Sequence, residues 1–282
     1  MRVVDAHHHF WDPALRDYPW MGEELAAIRR HFGPRELAPL LVANGVDRTV
    51  LVQTISSLEE TQEFLATAAR TEFIAGVVGW VDLTDPSVGD TLSELRMGIG
   101  GNKLVGVRHQ VHDEVDERWL LRDDVLRGIR AVGDAGLVYD LLVRTREVPA
   151  ALAVARRFAD IRFVIDHMAK PRIKAGPRDP EWEQAMAGFS DLPNVTCKVS
   201  GLVTEANWKG WTPDELAPYV RRAIGWFGPE RCMFGSDWPV CLLAATYEQV
   251  LEATRYSLRE ANRAEIEGVF GGNAIRVYGL AV

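Results

Sequence analysis

Eight short runs rich in Val, Ile and Leu recur along this 282-residue chain, each followed by a helical pattern. They are Val3–His7, Thr49–Thr54, Ile74–Val81, Leu104–His109, Leu137–Val143, Arg162–His167, Val195–Ser200 and Met233–Asp237. Runs that are apolar on both faces are how parallel strands read when helices cover the sheet. Eight of them alternating with helices predict an α/β fold, a single (β/α)8 TIM-type barrel over residues 1–282. Extra C-terminal helices follow the last strand, within Tyr247–Glu260 and Ala264–Tyr278. An open doubly wound sheet has the same periodicity. The strand count and the polar residue at most strand ends favour the closed barrel. Thr212-Pro213 and Asp179-Pro180 read as helix starts, and Gly45 and Gly136 as helix stops. No Ser/Gly linker or charge block breaks the rhythm, so one domain is expected.

Composition narrows the function classes. A net charge of −8, from 40 acidic and 32 basic residues, argues against nucleic acid and anionic membranes as partners. No apolar run approaches the ~20 residues of a membrane helix. Cys197, Cys232 and Cys241 have no CxxC spacing and suit neither a disulfide scaffold nor a thiolate zinc site. With no signal-like start, a reducing, cytoplasmic compartment is expected. No helix marks an oligomer interface.

A barrel gathers the C-terminal ends of its strands into one mouth. In chain order those ends carry His7 and His9, Gln53, Trp80 and Asp82, Arg108 and His109, Asp140 and Arg144, His167, Lys198 and Ser200, and Asp237. Alternation along a strand puts His7 and His9 on one face and His8 on the other. Two imidazoles there can grip one divalent metal or orient one water. A lone HxH is more often a packed strand end; the partners on strands six and eight reverse that weighting. His167 can complete a metal shell or donate to a substrate carbonyl. Asp237, the carboxylate of Gly235-Ser236-Asp237-Trp238-Pro239, can act as a general base on water.

Asp5-Ala6-His7-His8-His9, the His after strand six and Gly235–Pro239 resemble the amidohydrolase superfamily in its amidohydrolase-2 branch. Within it, His9–Pro13, Tyr18-Pro19-Trp20, Gly106–His109, Lys198–Gly201 and Phe234–Cys241 resemble the sugar-lactone hydrolases of L-fuconolactonase and L-rhamnonolactonase type. The resemblance implies a hydrolase that opens an aldonolactone, such as L-fuconolactone, to the hydroxy acid. Asp237 would be the base, His7 and His9 would position the water, and His167 would polarise the carbonyl. Arg108 and Lys198 would assist, and Trp11, Trp80, Trp238 and His109 would contact the substrate. Mononuclear members usually add a His at the end of strand five, and binuclear ones a Lys on strand four. Here those ends are Asp140–Arg144 and Arg108-His109. One divalent ion, zinc by ligand type, held by His7, His9, His167 and Asp237 is the most that fits, and the expectation is that metal is optional. The alternatives are a 2-pyrone-4,6-dicarboxylate-type lactonase, a metal-dependent non-oxidative decarboxylase, or a non-catalytic barrel that binds or scaffolds.

Overall fold

A computed structural model describes residues 2–281. Its strands are β1 (Val4–His8), β2 (Arg48–Val52), β3 (Ile74–Gly79), β4 (Leu104–His109), β5 (Val138–Leu141), β6 (Phe163–Ile165), β7 (Val195–Val199) and β8 (Cys232–Phe234). All seven neighbouring pairs are parallel and in chain order. The ring is drawn together just beyond β8. There the Asp237 N–H donates to the His7 carbonyl at 2.8 Å and the His9 N–H donates to the Trp238 carbonyl at 2.7 Å. The result is a nearly closed (β/α)8 barrel.

The helices that cover it are α1 (Pro34–Asn44), α2 (Leu58–Ala69), α3 (Val88–Met97), α4 (Asp123–Asp134), α5 (Val148–Arg157), α6 (Pro180–Ala187), the single turn α7 (Leu202–Glu205), α8 (Pro213–Phe227) and α9 (Tyr247–Ser257). Their starts follow from side chains that take orphan backbone donors. Ser57 accepts from the Glu60 N–H, Asp179 from Trp182, and Thr246 from Gln249. Gly45, at φ 65°, ends α1 in a left-handed cap. No helix among the described residues is long and apolar enough to cross a membrane.

The C-terminal segment departs from the single helix read over Ala264–Tyr278. It is two short helices, α10 (Arg263–Glu267) and α11 (Asn273–Tyr278), joined by a widened turn at Gly268–Gly272. Gly271 explains the break: a Cβ there would lie 2.0 Å from the Arg2 carbonyl oxygen, so the backbone is pressed against the start of β1. Leu280 and Tyr278 pack with Val4, Val50, Val138 and Val164, the apolar filling of the barrel. This segment therefore closes the end of the barrel opposite the mouth.

Candidate functional site

The β1 ladder steps three residues from Asp5 to His8 while β2 steps two, from Thr49 to Leu51. One extra residue on β1 is a bulge, which re-aims the side chains beyond it. His7 and His9 consequently face each other, with their Nε2 atoms 3.1 Å apart. His8 turns away to Thr49 Oγ1 at 2.8 Å. Asp5, fully buried, ties β1 to the strand-eight turn by accepting from the Ser236 N–H, the Ser236 hydroxyl and the Tyr247 hydroxyl at 2.8, 2.6 and 3.0 Å. Burial pushes its carboxyl up to about 6 against those hydrogen bonds.

His167 reaches the same place by a strained route. Strand six was read through His167, but β6 stops at Ile165. The next segment holds four successive left-handed residues, His167, Met168, Ala169 and Lys170, with φ between 52 and 56°. Such a conformation costs about 1–2 kcal/mol per residue. It is held by the buried Trp182 indole donating to the Met168 carbonyl at 2.6 Å and by the His167 Nδ1–Ser200 Oγ bond at 2.9 Å. Asp237 is left-handed too, at φ 57°. Strain gathered at the groups that converge is characteristic of functional sites.

The convergence is tight. Asp237 Oδ1 lies 3.4 Å from His9 Nε2 and 3.9 Å from both His7 Nε2 and His167 Nε2. His9 Nδ1 donates to the Val52 carbonyl at 2.8 Å, which fixes the ring with Nε2 toward the Asp237 carboxylate. Burial raises the Asp237 pKa, but His167, the His9 hydrogen bond and Lys170 outweigh it, and the carboxyl ends below its ordinary value. Burial pushes His167 down to about 4, although Asp237 and Asp166 pull the other way. An ionised carboxylate therefore faces the neutral imidazoles of His7 and His167, an arrangement suited to a proton or a cation between them. His7, His167 and Asp237 each offer a ligand atom within 4.8 Å of the others, and this donor set suits one divalent ion. His9 lies beside that set rather than within it.

The other residues singled out in the sequence fall into three places. Arg108, buried, donates to Gln53 Oε1 at 2.8 and 3.1 Å and to Asp166 Oδ2 at 3.0 Å, with Nη1 3.3 Å from His7 Nε2. Lys198 lies behind His7, fully buried, with Nζ 2.6 Å from Asp140 Oδ2, 2.9 Å from Asp166 Oδ1 and 3.2 Å from His7 Nδ1. Its contact with the converging histidines is through His7, and it does not reach into the mouth. On the β3–β4 side, Trp80 Nε1 donates to His109 Nδ1 at 3.0 Å, and His109 Nε2 donates to Glu114 at 2.7 Å. The His109 ring stacks on Trp119 at 4.1 Å. Trp11 and Trp238 are in the core, and neither side chain joins His7, His9, His167 and Asp237 at the mouth. Trp11 packs among Tyr18, Trp20 and Phe32 and donates to the Ile28 carbonyl; Trp238 packs on Phe10 and Phe32. Trp11 backs His9, its ring 6.4 Å away and near-parallel.

Asp166 received no role from the sequence, although it adjoins His167. Asp140 and Ser200 were read only as polar strand ends. Burial pulls Asp166 upward, but Lys198, His7 and Arg108 hold it well below the usual carboxylate range. Asp140 is pushed up to about 6 by burial, against Lys198.

The family model described as Amidohydrolase (Amidohydro_2) matches residues 4–280. An L-fucono-1,5-lactonase of Burkholderia ambifaria is 43% identical over 98% of this chain and 94% of its own length. An L-fucono-1,5-lactonase of Burkholderia multivorans is 38% identical over 98% and 96%. The crystal structure of an amidohydrolase from Burkholderia multivorans with bound zinc superposes with a TM-score of 0.93, at 36% identity over 100% of both chains. With its nearly closed barrel and its His7–His167–Asp237 mouth, the chain belongs to the amidohydrolase family.

Proposed function

We propose that this protein hydrolyses a sugar lactone, with an L-fucono-1,5-lactone-type ring as the first candidate. The observation that carries the reading is the ionised Asp237 facing neutral His7 and His167 at the mouth, with His9 Nε2 3.4 Å from the carboxylate. The two fuconolactonase relatives support the substrate class. Asp237 takes a proton from a water held by His7 and His9. The hydroxide so formed attacks the lactone carbonyl carbon. His167 donates from Nε2 to the carbonyl oxygen when the Ser200 hydroxyl donates to its Nδ1; one donor aimed at a developing oxyanion is worth about 3 kcal/mol. Protonated Asp237 returns its proton to the ring alkoxide as the C–O bond breaks, and the hydroxy acid leaves. Arg108 adds positive potential beside His7. The test is turnover of an aldonolactone panel in a pH-indicator assay, with 2-pyrone-4,6-dicarboxylate included. Silence on every sugar lactone overturns the reading.

The paired cations favour a neutral sugar over a dicarboxylate. Of the five cations near the mouth, Arg108 is paired with Asp166, Lys170 with Glu205, Arg172 with Asp179 and Glu181, and Lys198 with Asp140 and Asp166. Only Arg144 has no carboxylate within ion-pair distance among the described residues. Lys170, Glu205 and Arg144 line a cleft of about 500 Å³ beside His167. A donor and an acceptor 3.6 Å apart suit neighbouring hydroxyls. Glu205→Gln is expected to raise KM for the sugar lactone about fivefold with kcat within twofold, the scale of one hydrogen bond; steady-state kinetics check it.

His7, His167 and Asp237, with His9 beside them, would hold one divalent ion, zinc by donor type. Bound there it would supply Lewis acidity to the carbonyl or to water. Metal is nonetheless optional in this reading. Arg108 already places a cation 3.3 Å from His7 Nε2, and strand five offers no His there but Asp140, which is engaged by Lys198. Enzyme dialysed against chelator, and shown metal-free by elemental analysis, is expected to keep turnover. Loss of activity that only a divalent ion restores overturns this.

The pH profile follows from the same groups. Asp237 must be ionised to act, and its pKa is depressed, so activity is lost only as pH falls below the usual carboxylate range. His167, pushed to about 4, stays neutral above that. kcat/KM is expected to be flat from about pH 6 to 8, and an acid limb near pH 6 would contradict the assignment.

A further inference from the structure

A column of polar groups runs along the barrel axis from the closed end to the mouth. It begins on α11, outside the eight strands. The Tyr278 hydroxyl donates to Asp140 at 2.8 Å from Oδ2 and 3.0 Å from Oδ1. Asp140 Oδ2 accepts from Lys198, whose ammonium lies 5.4 Å from the Tyr278 ring centre. Lys198 spans to Asp166 and to His7 Nδ1, and Asp166 is also held by Arg108. The side chains of His7, Asp140, Asp166 and Lys198 are completely buried.

This is a costly way to fill a barrel. The interior of such folds is normally layered with branched apolar residues, as Val50, Val138 and Val164 are here. Replacing a buried ion pair with apolar residues is often neutral or stabilising, so stability alone does not account for the column. Its upper end does: it terminates on His7, whose Nε2 faces Asp237. Lysine has a flexible stem and a compact charge that three donors can aim in several directions. With Asp166 as its only partner, the ammonium could swing along the carboxylate. Asp140 restrains it from below, and Tyr278 restrains Asp140.

We propose that Tyr278 is a positioning residue for the reaction: by anchoring Asp140, it fixes Lys198 against the Nδ1 edge of His7 and thereby sets the orientation of the imidazole. The inference rests on the hydrolytic reading of the mouth, and it makes the C-terminal helix part of the catalytic apparatus.

Tyr278→Phe tests it, because the ring stays in the barrel floor and only the hydroxyl goes. The expected result is a kcat about tenfold lower with KM within twofold, together with displaced 15N chemical shifts of the His7 ring nitrogens. Tyr219→Phe is the matched comparison. It removes a hydroxyl that donates to the Gly176 carbonyl at 2.8 Å, and it should lower Tm by a similar amount with kcat and the His7 shifts unmoved. Wild-type kcat in Tyr278→Phe, or unmoved His7 shifts, overturns the proposal. Should Tyr278→Phe fail to fold, Asp140→Asn is read by the same two measurements. If the wild-type protein opens no lactone, the substrate reading fails by itself, and the His7 shifts still decide whether Tyr278 reaches the site.

Discussion

Asp237→Asn is expected to lower kcat on the sugar lactone by about 10³-fold or more while leaving the fold intact, the upper range for loss of a general base. The substitution keeps the shape of the side chain. It also suits the backbone, because Asn tolerates the left-handed conformation that Asp237 adopts at φ 57°. The amide offers both a donor and an acceptor to His9 Nε2, which now faces a carboxylate at 3.4 Å, so His9 keeps its partner. A change in Tm of a degree or two combined with near-complete loss of turnover would assign the proton transfer to this carboxylate. Turnover within tenfold of wild type would remove Asp237 from the base role and leave the water to the histidines.

Gly201→Ala is expected to cost about 10²-fold in kcat, although Gly201 touches no substrate. A Cβ at this position would lie 2.5 Å from His167 Nδ1 and 2.8 Å from its Cγ. The ring must move, and with it the Ser200 bond that aligns it. The left-handed φ of 65° adds a backbone cost of about 1 kcal/mol. Gly45→Ala separates the two effects. Gly45 has the same φ of 65° with no atom within 4 Å of the added Cβ, so it should lose stability without losing activity. Equal kcat in the two variants would show that His167 tolerates displacement and would weaken its assignment as the carbonyl donor.

The eight strands were readable because a barrel strand buried on both faces must be apolar throughout, and helices between strands impose their own period. Several predicted limits overran the strands, as at Arg162–His167 against the observed Phe163–Ile165 and Leu137–Val143 against Val138–Leu141. At β6 and β8 those extensions are left-handed turns, by which His167 and Asp237 bend over the mouth. The tryptophans were misleading for a related reason. Trp11 and Trp238 stand close to His9 and Asp237 in sequence, but both rings pack into the aromatic cluster of Phe10, Trp20 and Phe32, where burial of a large apolar ring decides its place.

By itself, the sequence determined the parallel barrel and placed His7, His9, His167 and Asp237 at strand ends, because strand period and strand-end position are local properties of the chain. The tertiary structure alone decided how those residues are held: the left-handed turn after β6, the Gly201 floor beneath His167, and the column from Tyr278 through Asp140, Lys198 and Asp166 to His7. Lys198 is 58 residues from Asp140, and Tyr278 is 138 residues from it. A buried charge is stable only with a partner of opposite sign at contact distance, and no local pattern records which distant residue will fill that place.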